Sequence, residues 1–171
     1  DKVVSEIIVS GNYLYAVSGE TGLLIYDVTD PVAPVLLGGT GDNSFKYPAH
    51  TAVAGSYIYV ADNFRIVSVD VSDPSNPQIK NTYIQDQYKS YFDIFFDGKY
   101  LFATTKVHVV AFDVSTPHTP VPLATYEGNG NFSDIAVAGN RVYTISRGLQ
   151  VLSYQVTDTA AIINLDKEHM Y

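Results

Sequence analysis

Short stretches of alternating apolar and polar residues follow one another along the chain, and turn signals separate them. The first 40 residues predict four β-strands: Glu6–Ser10, Tyr13–Ser18, Leu23–Val28 and Val35–Thr40. Gly11-Asn12 predicts a tight hairpin, because both residues tolerate positive φ. Pro31 follows the third strand, where a residue without an N–H cannot continue a central ladder. No segment sustains a 3.6-residue apolar period, so essentially no helix is expected.

The same pattern occurs four times. A hairpin glycine recurs at intervals of 44, 43 and 41 residues, at Gly11, Gly55, Gly98 and Gly139. A second block recurs downstream and ends the third strand with an aspartate in the first three units, at Asp27, Asp70 and Asp113. Gln155 stands at this position in the fourth unit. Two anchors in register over four copies indicate an internal repeat of about 43 residues.

A four-stranded unit repeated every 40 to 45 residues is typical of a β-propeller. The predicted fold is therefore all-β, a single domain with four blades at about 1–48, 49–91, 92–132 and 133–171. The third strands support this prediction because large residues on one face oppose smaller ones on the other, as stacked blades require. A β-sandwich is the competing all-β fold, but it has no reason to repeat two motifs in register.

Closure of the ring is a separate question. The fourth unit supplies all four of its own predicted strands, and Asp1–Ser5 is too short to complete another blade. A four-bladed ring could close only by packing of the first blade on the fourth, and an unsealed ring would expose apolar faces. We therefore expect these four blades to be part of a larger propeller, formed by a longer chain or by two copies.

The repeated blocks resemble a known family. LLIYD, IVSVD and VVAFD, each followed by Val-Ser/Thr-x-Pro-x-x-Pro, resemble the LVIVD repeat, as does the turn VAGSYIYVA. The fourth unit departs from the pattern, with Gln155 for the aspartate and Thr159 and Ile162 for the prolines. The resemblance implies a β-propeller with an interaction role. It also implies a bacterial or archaeal source and an extracellular or cell-surface location, and it supplies no catalytic residues.

Composition narrows the classes of function. The 171 residues are 46% hydrophobic and 16% charged, which excludes a disordered chain. No run of 18 apolar residues predicts a transmembrane segment. With 18 acidic and 10 basic residues, the net charge of −8 argues against a nucleic-acid partner. The chain has no cysteine, which excludes disulfides and thiolate metal sites. No basic-then-apolar leader opens the sequence, so we expect any export signal to lie outside it.

One set of polar residues is predicted to converge. The position five before each hairpin glycine, at the start of the innermost strand, holds Glu6, His50, Asp93 and Asp134. Inner strands line the channel of a propeller, so these side chains should meet at one mouth of it. They could hold calcium or another hard cation. A solvated lining is the favoured interpretation, because no Asp-x-Asp-x-Asp-Gly loop or paired histidine motif indicates a metal, and no cofactor is expected.

The aspartates Asp27, Asp70 and Asp113 are interpreted as structural, because an aspartate at a strand end accepts backbone N–H bonds in the following turn. Aromatic residues concentrate instead in two connections between blades: Phe45, Tyr47, Tyr83, Tyr88 and Tyr91. Aromatic rings beside amides and carboxylates suit sugar stacking or protein contact, and binding residues concentrate in loops. Packing between blades is an equally weighted alternative.

No nucleophile elbow, phosphate loop or zinc-protease motif occurs. The sequence therefore favours a non-enzymatic exported or cell-surface β-propeller that acts as a protein-binding scaffold. Its partner would be another protein or further copies of the chain. The alternative is a carbohydrate-binding module or a glycan-active enzyme, working at the channel mouth or the aromatic loops.

Overall fold

Four antiparallel sheets of four strands each make up the computed structural model, which describes residues 3–84, 90–127, 132–139, 141–146, 151–157 and 161–163. The described residues contain no helix. In every sheet the strands lie in chain order, so each is a meander of neighbouring hairpins. These sheets, called blades 1 to 4 here, confirm the predicted all-β class and the four-stranded repeat.

The strands follow the repeat closely. Blade 1 contains β1 (Glu6–Ser10), β2 (Tyr13–Ser18), β3 (Gly22–Asp27) and β4 (Val35–Gly39). Blade 2 contains β5 (Pro48–Ala54), β6 (Tyr57–Asp62), β7 (Arg65–Asp70) and β8 (Gln78–Ile84). Blade 3 contains β9 (Tyr91–Phe96), β10 (Tyr100–Thr105), β11 (His108–Asp113) and β12 (Val121–Glu127). Blade 4 contains β13 (Phe132–Ala138), β14 (Arg141–Ser146), β15 (Val151–Thr157) and β16 (Ala161–Ile163).

The same irregularity marks the outer hairpin of the first three blades. The register shifts once between the third and fourth strands, after Ile25, Ser68 and Ala111. These three residues occupy one position of the repeat. A bulge of this kind bends its strand and increases the local twist. The outer strands of these three blades therefore bend at the same position.

The hydrophobic core lies between the blades. Tyr15, Val17 and Ile25 of blade 1 form one buried cluster with residues of blade 2 that include Ile58 and Val69. The same two sets of repeat positions join blade 2 to blade 3 and blade 3 to blade 4. We call the side of a blade that packs on the preceding blade its leading face, and the opposite side its trailing face.

The first strands of successive blades are neighbours. β5 contacts β1 on one side and β9 on the other, and β13 contacts β9. This order places the first strand of each blade innermost. Because an inner strand begins at the end opposite its hairpin glycine, the residues five positions before those glycines lie at one end of the row.

Candidate functional site

His50 lies at the centre of the polar group on the inner strands. Its Nδ1 is 3.3 Å from Oε1 of Glu6 on blade 1 and 3.3 Å from Oδ1 of Asp93 on blade 3. The imidazole is about half exposed, whereas both carboxyl groups are largely buried. One side chain of blade 2 therefore links the carboxylates of its two neighbours.

Asp93 extends this network to blade 4. Its Oδ1 accepts a hydrogen bond from the N–H of Ile94 at 2.8 Å, and its Oδ2 accepts one from the N–H of Ile135 at 2.8 Å. Asp134 also hydrogen-bonds to the Asp93 carboxyl group. The four residues at this repeat position, which we call the channel ring, are thus brought together by their places at the start of β1, β5, β9 and β13.

The environment of the channel ring raises the pKa values of Asp93 and His50. Burial raises the pKa of Asp93 to about 6, and the hydrogen bond with Asp134 acts in the same direction. The N–H groups of Ile135 and Ile94 and the charge of His50 oppose this rise. The hydrogen bond to Glu6 raises the pKa of His50; partial burial opposes it, and the charges of Asp93, Glu6 and Asp134 add to it.

The channel ring leaves one acceptor open. Within the described part of the chain, Oε2 of Glu6 is buried and accepts no hydrogen bond. No group of three or more histidine, aspartate or glutamate side chains among the described residues is arranged to hold a metal ion. Binding of calcium or another cation in the channel therefore stays a hypothesis.

The third-strand aspartates close the turns that follow them. Asp27 accepts the N–H of Thr29 at 2.8 Å, Asp70 that of Ser72 at 3.0 Å and Asp113 that of Ser115 at 2.7 Å. The hydroxyl groups of Thr29 and Ser72 do most to lower the pKa of Asp27 and Asp70, and the N–H of Ser115 does most to lower that of Asp113. The three aspartates lie at the hairpin end of the blades, away from the channel ring.

The aromatic residues of the connections differ in their exposure. Phe45 and Tyr91 are each only 2% exposed, so the hypothesis that they contact a ligand is wrong; they fill the gaps between blades. Tyr83 is half-buried and packs edge-on against Phe112, with ring centroids 5.2 Å apart. Tyr47 is 71% exposed. Tyr88 lies outside the described residues.

Two polar residues that the sequence analysis did not identify hold these connections in place. Asp62 is fully buried; its carboxylate accepts the N–H groups of Lys46 at 3.0 Å and Tyr47 at 2.5 Å, and it pairs with Arg65. The backbone carbonyl of Asn63 accepts the N–H of Tyr91 at 2.6 Å, and its side-chain Oδ1 accepts the hydroxyl of Ser90 at 2.5 Å. The signal for both was the polar pair Asp62-Asn63 at the end of a strongly apolar strand.

Comparison with known proteins identifies the repeat. The sequence model of the LVIVD repeat matches residues 3–40 and 49–85. The first two blades are LVIVD repeats. The LVIVD assignment based on the repeated blocks is confirmed there, while no curated protein matches the chain in sequence.

Solved structures with the same fold include the BamB protein from Moraxella catarrhalis, at 15% identity and a TM-score of 0.72 over 89% of this chain. A protein from Lactobacillus plantarum has 16% identity and a TM-score of 0.81 over 98% of the chain, and the computationally designed protein Ika4 has 9% and 0.70 over 91%. The chain spans 43% of BamB, 55% of the Lactobacillus protein and 92% of Ika4. The predicted β-propeller fold is confirmed. In the described residues, no helix is long and apolar enough to cross a membrane.

Proposed function

We propose that this LVIVD-repeat propeller is a non-enzymatic, exported scaffold that binds another protein through the connection end of its blades. The connection end is the end that carries the channel ring, the segment of residues 40–47 and the start of β9. Export is the expectation that the family resemblance implies. The observation that carries the proposal is the exposed ring of Tyr47 on a segment that a buried carboxylate holds rigidly.

Rigidity matters because ordering a flexible loop on binding consumes interaction energy. The two amides held by Asp62 fix the backbone of Lys46 and Tyr47 before any partner arrives. The buried ring of Phe45 anchors the same segment from the other side. Tyr47 is therefore presented on a preorganised support, as residues that dominate protein interfaces commonly are.

Further apolar side chains are exposed at the same end. Ile84 is 62% exposed and lies in register with Arg65, at the start of β7. Phe92 is 42% exposed and directly precedes Asp93 in β9. Exposed apolar residues grouped with an aromatic ring suit a protein partner better than a small polar substrate.

The chemistry of the channel ring also favours binding over catalysis. His50 lies between two carboxylates, and Asp93 accepts two backbone N–H groups and shares a hydrogen bond with the carboxyl group of Asp134. Groups satisfied in this way join adjacent blades. The family pattern contributes no nucleophile or general acid at these positions.

The proposal is tested by site-specific photo-crosslinking in cells that produce the protein. A photoreactive phenylalanine analogue replaces Tyr47 in one variant and Val121 in the control, since Val121 is 50% exposed but begins β12 at the hairpin end. We expect one defined protein adduct from position 47 and none from position 121. Tyr47→Ala should then weaken binding of the purified partner at least tenfold.

Several outcomes would contradict the proposed function. Equal crosslinking from both positions would indicate non-specific contact. A glycan array in which binding depends on Tyr47 would replace the protein partner by a carbohydrate. Recovery of the protein from the cytoplasm alone would refute export.

A further inference from the structure

The leading face of blade 1 differs from the leading faces of the other blades. The residue four positions before the hairpin glycine is 6% exposed at Thr51, 4% at Ile94 and 6% at Ile135. The equivalent Ile7 is 63% exposed. Val9, two positions further along the same strand, is 58% exposed.

The second and third strands show the same difference. Leu14, Leu24 and Tyr26 of blade 1 are half-buried. Their counterparts in blades 2 and 3 are almost completely buried, at 0 to 2% exposure: Ile58, Val67, Val69, Leu101, Val110 and Phe112. Blade 1 thus carries the apolar residues of a leading face without a blade to cover them.

The trailing face of blade 4 is uncovered in the complementary way. Ile145 is 44% exposed, whereas Val17 and Ala61 at the same repeat position are at most 1% exposed. Tyr143 is half-buried, and Ala136 beside it is exposed. A hollow of about 100 Å³ lies on this face and is lined in part by these blade 4 residues.

These two faces carry the repeat positions that join at each of the three internal interfaces. We propose that the leading face of blade 1 binds the trailing face of blade 4 of a second copy of the chain. The second copy makes the same contact in return. Two identical interfaces then close a ring of eight blades with two-fold symmetry, because a head-to-tail contact used twice can close on itself.

Polar contacts between blades 2 and 3 support this pairing. On the trailing face of blade 2, the hydroxyl of Tyr59 donates to the carbonyl of Pro117 at 2.7 Å and that of Ser68 donates to the carbonyl of His118 at 3.1 Å. Both acceptors belong to the proline-containing turn of the next blade. The buried tyrosine and serine thus fasten that turn to the blade before it.

Blade 4 repeats this tyrosine–serine pair. Tyr143 and Ser153 are paired in register, as Tyr59 and Ser68 are in blade 2. The turn that would follow is that of a first blade, where Pro31 and Val32 stand at the positions of Pro117 and His118. Val32 is 89% exposed, so this turn is open to receive the contact.

The experiment measures the mass of the 171-residue chain in solution by light scattering and sedimentation from about 1 to 100 μM. We expect a dimer of the 18.7 kDa chain. Ile7→Asp and Ile145→Asp should each raise the dimer dissociation constant at least tenfold. Val121→Asp is the matched control, because it places the same charge at an exposed apolar position on neither face, and it should leave the dimer unchanged.

Mixing the two variants provides a sharper test. In a mixed dimer, both substitutions fall in one interface and the other interface is wild-type. An equimolar mixture of the Ile7→Asp and Ile145→Asp proteins should therefore associate more tightly than either variant alone. Ile7 and Ile145 are exposed in the single chain, so both variants should fold, which circular dichroism verifies.

Three results would overturn the proposal. The wild-type chain could be a monomer at every concentration. The dimer could persist in both variants, which would place the contact elsewhere. The mixture could fail to associate beyond its components, which would exclude a head-to-tail pairing of these two faces.

Discussion

A single glycine in each hairpin sets the conformation of the turn. Gly55 has φ of 60°, and an added Cβ would meet no atom within 4 Å, so only backbone strain opposes a side chain there. We expect Gly55→Val to reduce the free energy of unfolding by about 1–2 kcal/mol. Gly55→Asn is the control and should lose less, because Asn43 and Asn63 adopt φ near 60° in this chain. Equal losses in urea unfolding would contradict the role of φ.

The channel ring predicts a pH dependence of stability. The pKa of Asp93 rises to about 6 in the folded state, so its stabilising contribution is present below pH 4 and is lost as the pH rises through 6. His50, whose pKa is raised above 6.5 beside Glu6, Asp93 and Asp134, loses its contribution at higher pH still. The titration of these two residues should therefore lower the stability of the protein between pH 4 and pH 8.

Asp93→Asn should remove the lower part of that fall, an effect of up to about 3 kcal/mol because one pKa unit corresponds to about 1.4 kcal/mol. His50→Gln should remove the upper part. Melting temperatures at pH 4.5, 6 and 8 measure both effects. Asp27, Asp70 and Asp113 instead stabilise the folded protein when they are ionised. Because their pKa values are lowered, this contribution to stability is lost only below pH 4. Parallel pH profiles for Asp93→Asn and the wild type would contradict this assignment.

At the scale of the element, one buried carboxylate holds the first connection between blades. Asp62→Ala would leave the N–H groups of Lys46 and Tyr47 and the guanidinium of Arg65 without their acceptor. We expect a loss of about 3 kcal/mol in the free energy of unfolding. Asp73→Ala, which removes an exposed aspartate that caps a turn, should cost much less. Similar losses in chemical denaturation would show that Asp62 does not anchor the connection.

The strands could be predicted from the sequence because the repeat shows the same pattern four times. β1 and β2 begin and end at the predicted residues, and β3 begins one residue early, at Gly22. The burial of Phe45 and Tyr91 could not be predicted from the sequence. An aromatic residue in a connection can point outward or fill a gap between sheets, and only the packing of the neighbouring blade decides which.

The channel ring could be located from the sequence because it occupies one position of the repeat, counted back from the hairpin glycines. Asp62 could not, because a carboxylate does not recur at this position: Ser18, Thr105 and Ser146 end the other second strands. A carboxylate that serves one connection alone leaves no periodic signal. Its role depends on the fold of residues 46 and 47 beside it.

At the scale of the whole molecule, the middle blades are covered on both faces and the end blades on one. We expect the amides of Val67 and Val110 to exchange at least tenfold more slowly with deuterium than that of Leu24, which holds the same repeat position in blade 1. The measurement is made on the Ile7→Asp variant, in which association is suppressed. Uniform protection would show that the four blades unfold as a single cooperative unit.

The meander topology of the sheets has a consequence for synthesis. Every strand of a blade pairs with the strand next to it in the chain, so one blade needs only about 43 consecutive residues to complete its hydrogen bonds. Such local pairing favours rapid closure of each sheet. A blade can therefore form as soon as its own repeat has left the ribosome. The next repeat then emerges beside a folded blade on which it can pack. The protein can be built vectorially, with each completed blade serving as the template on which the following one packs.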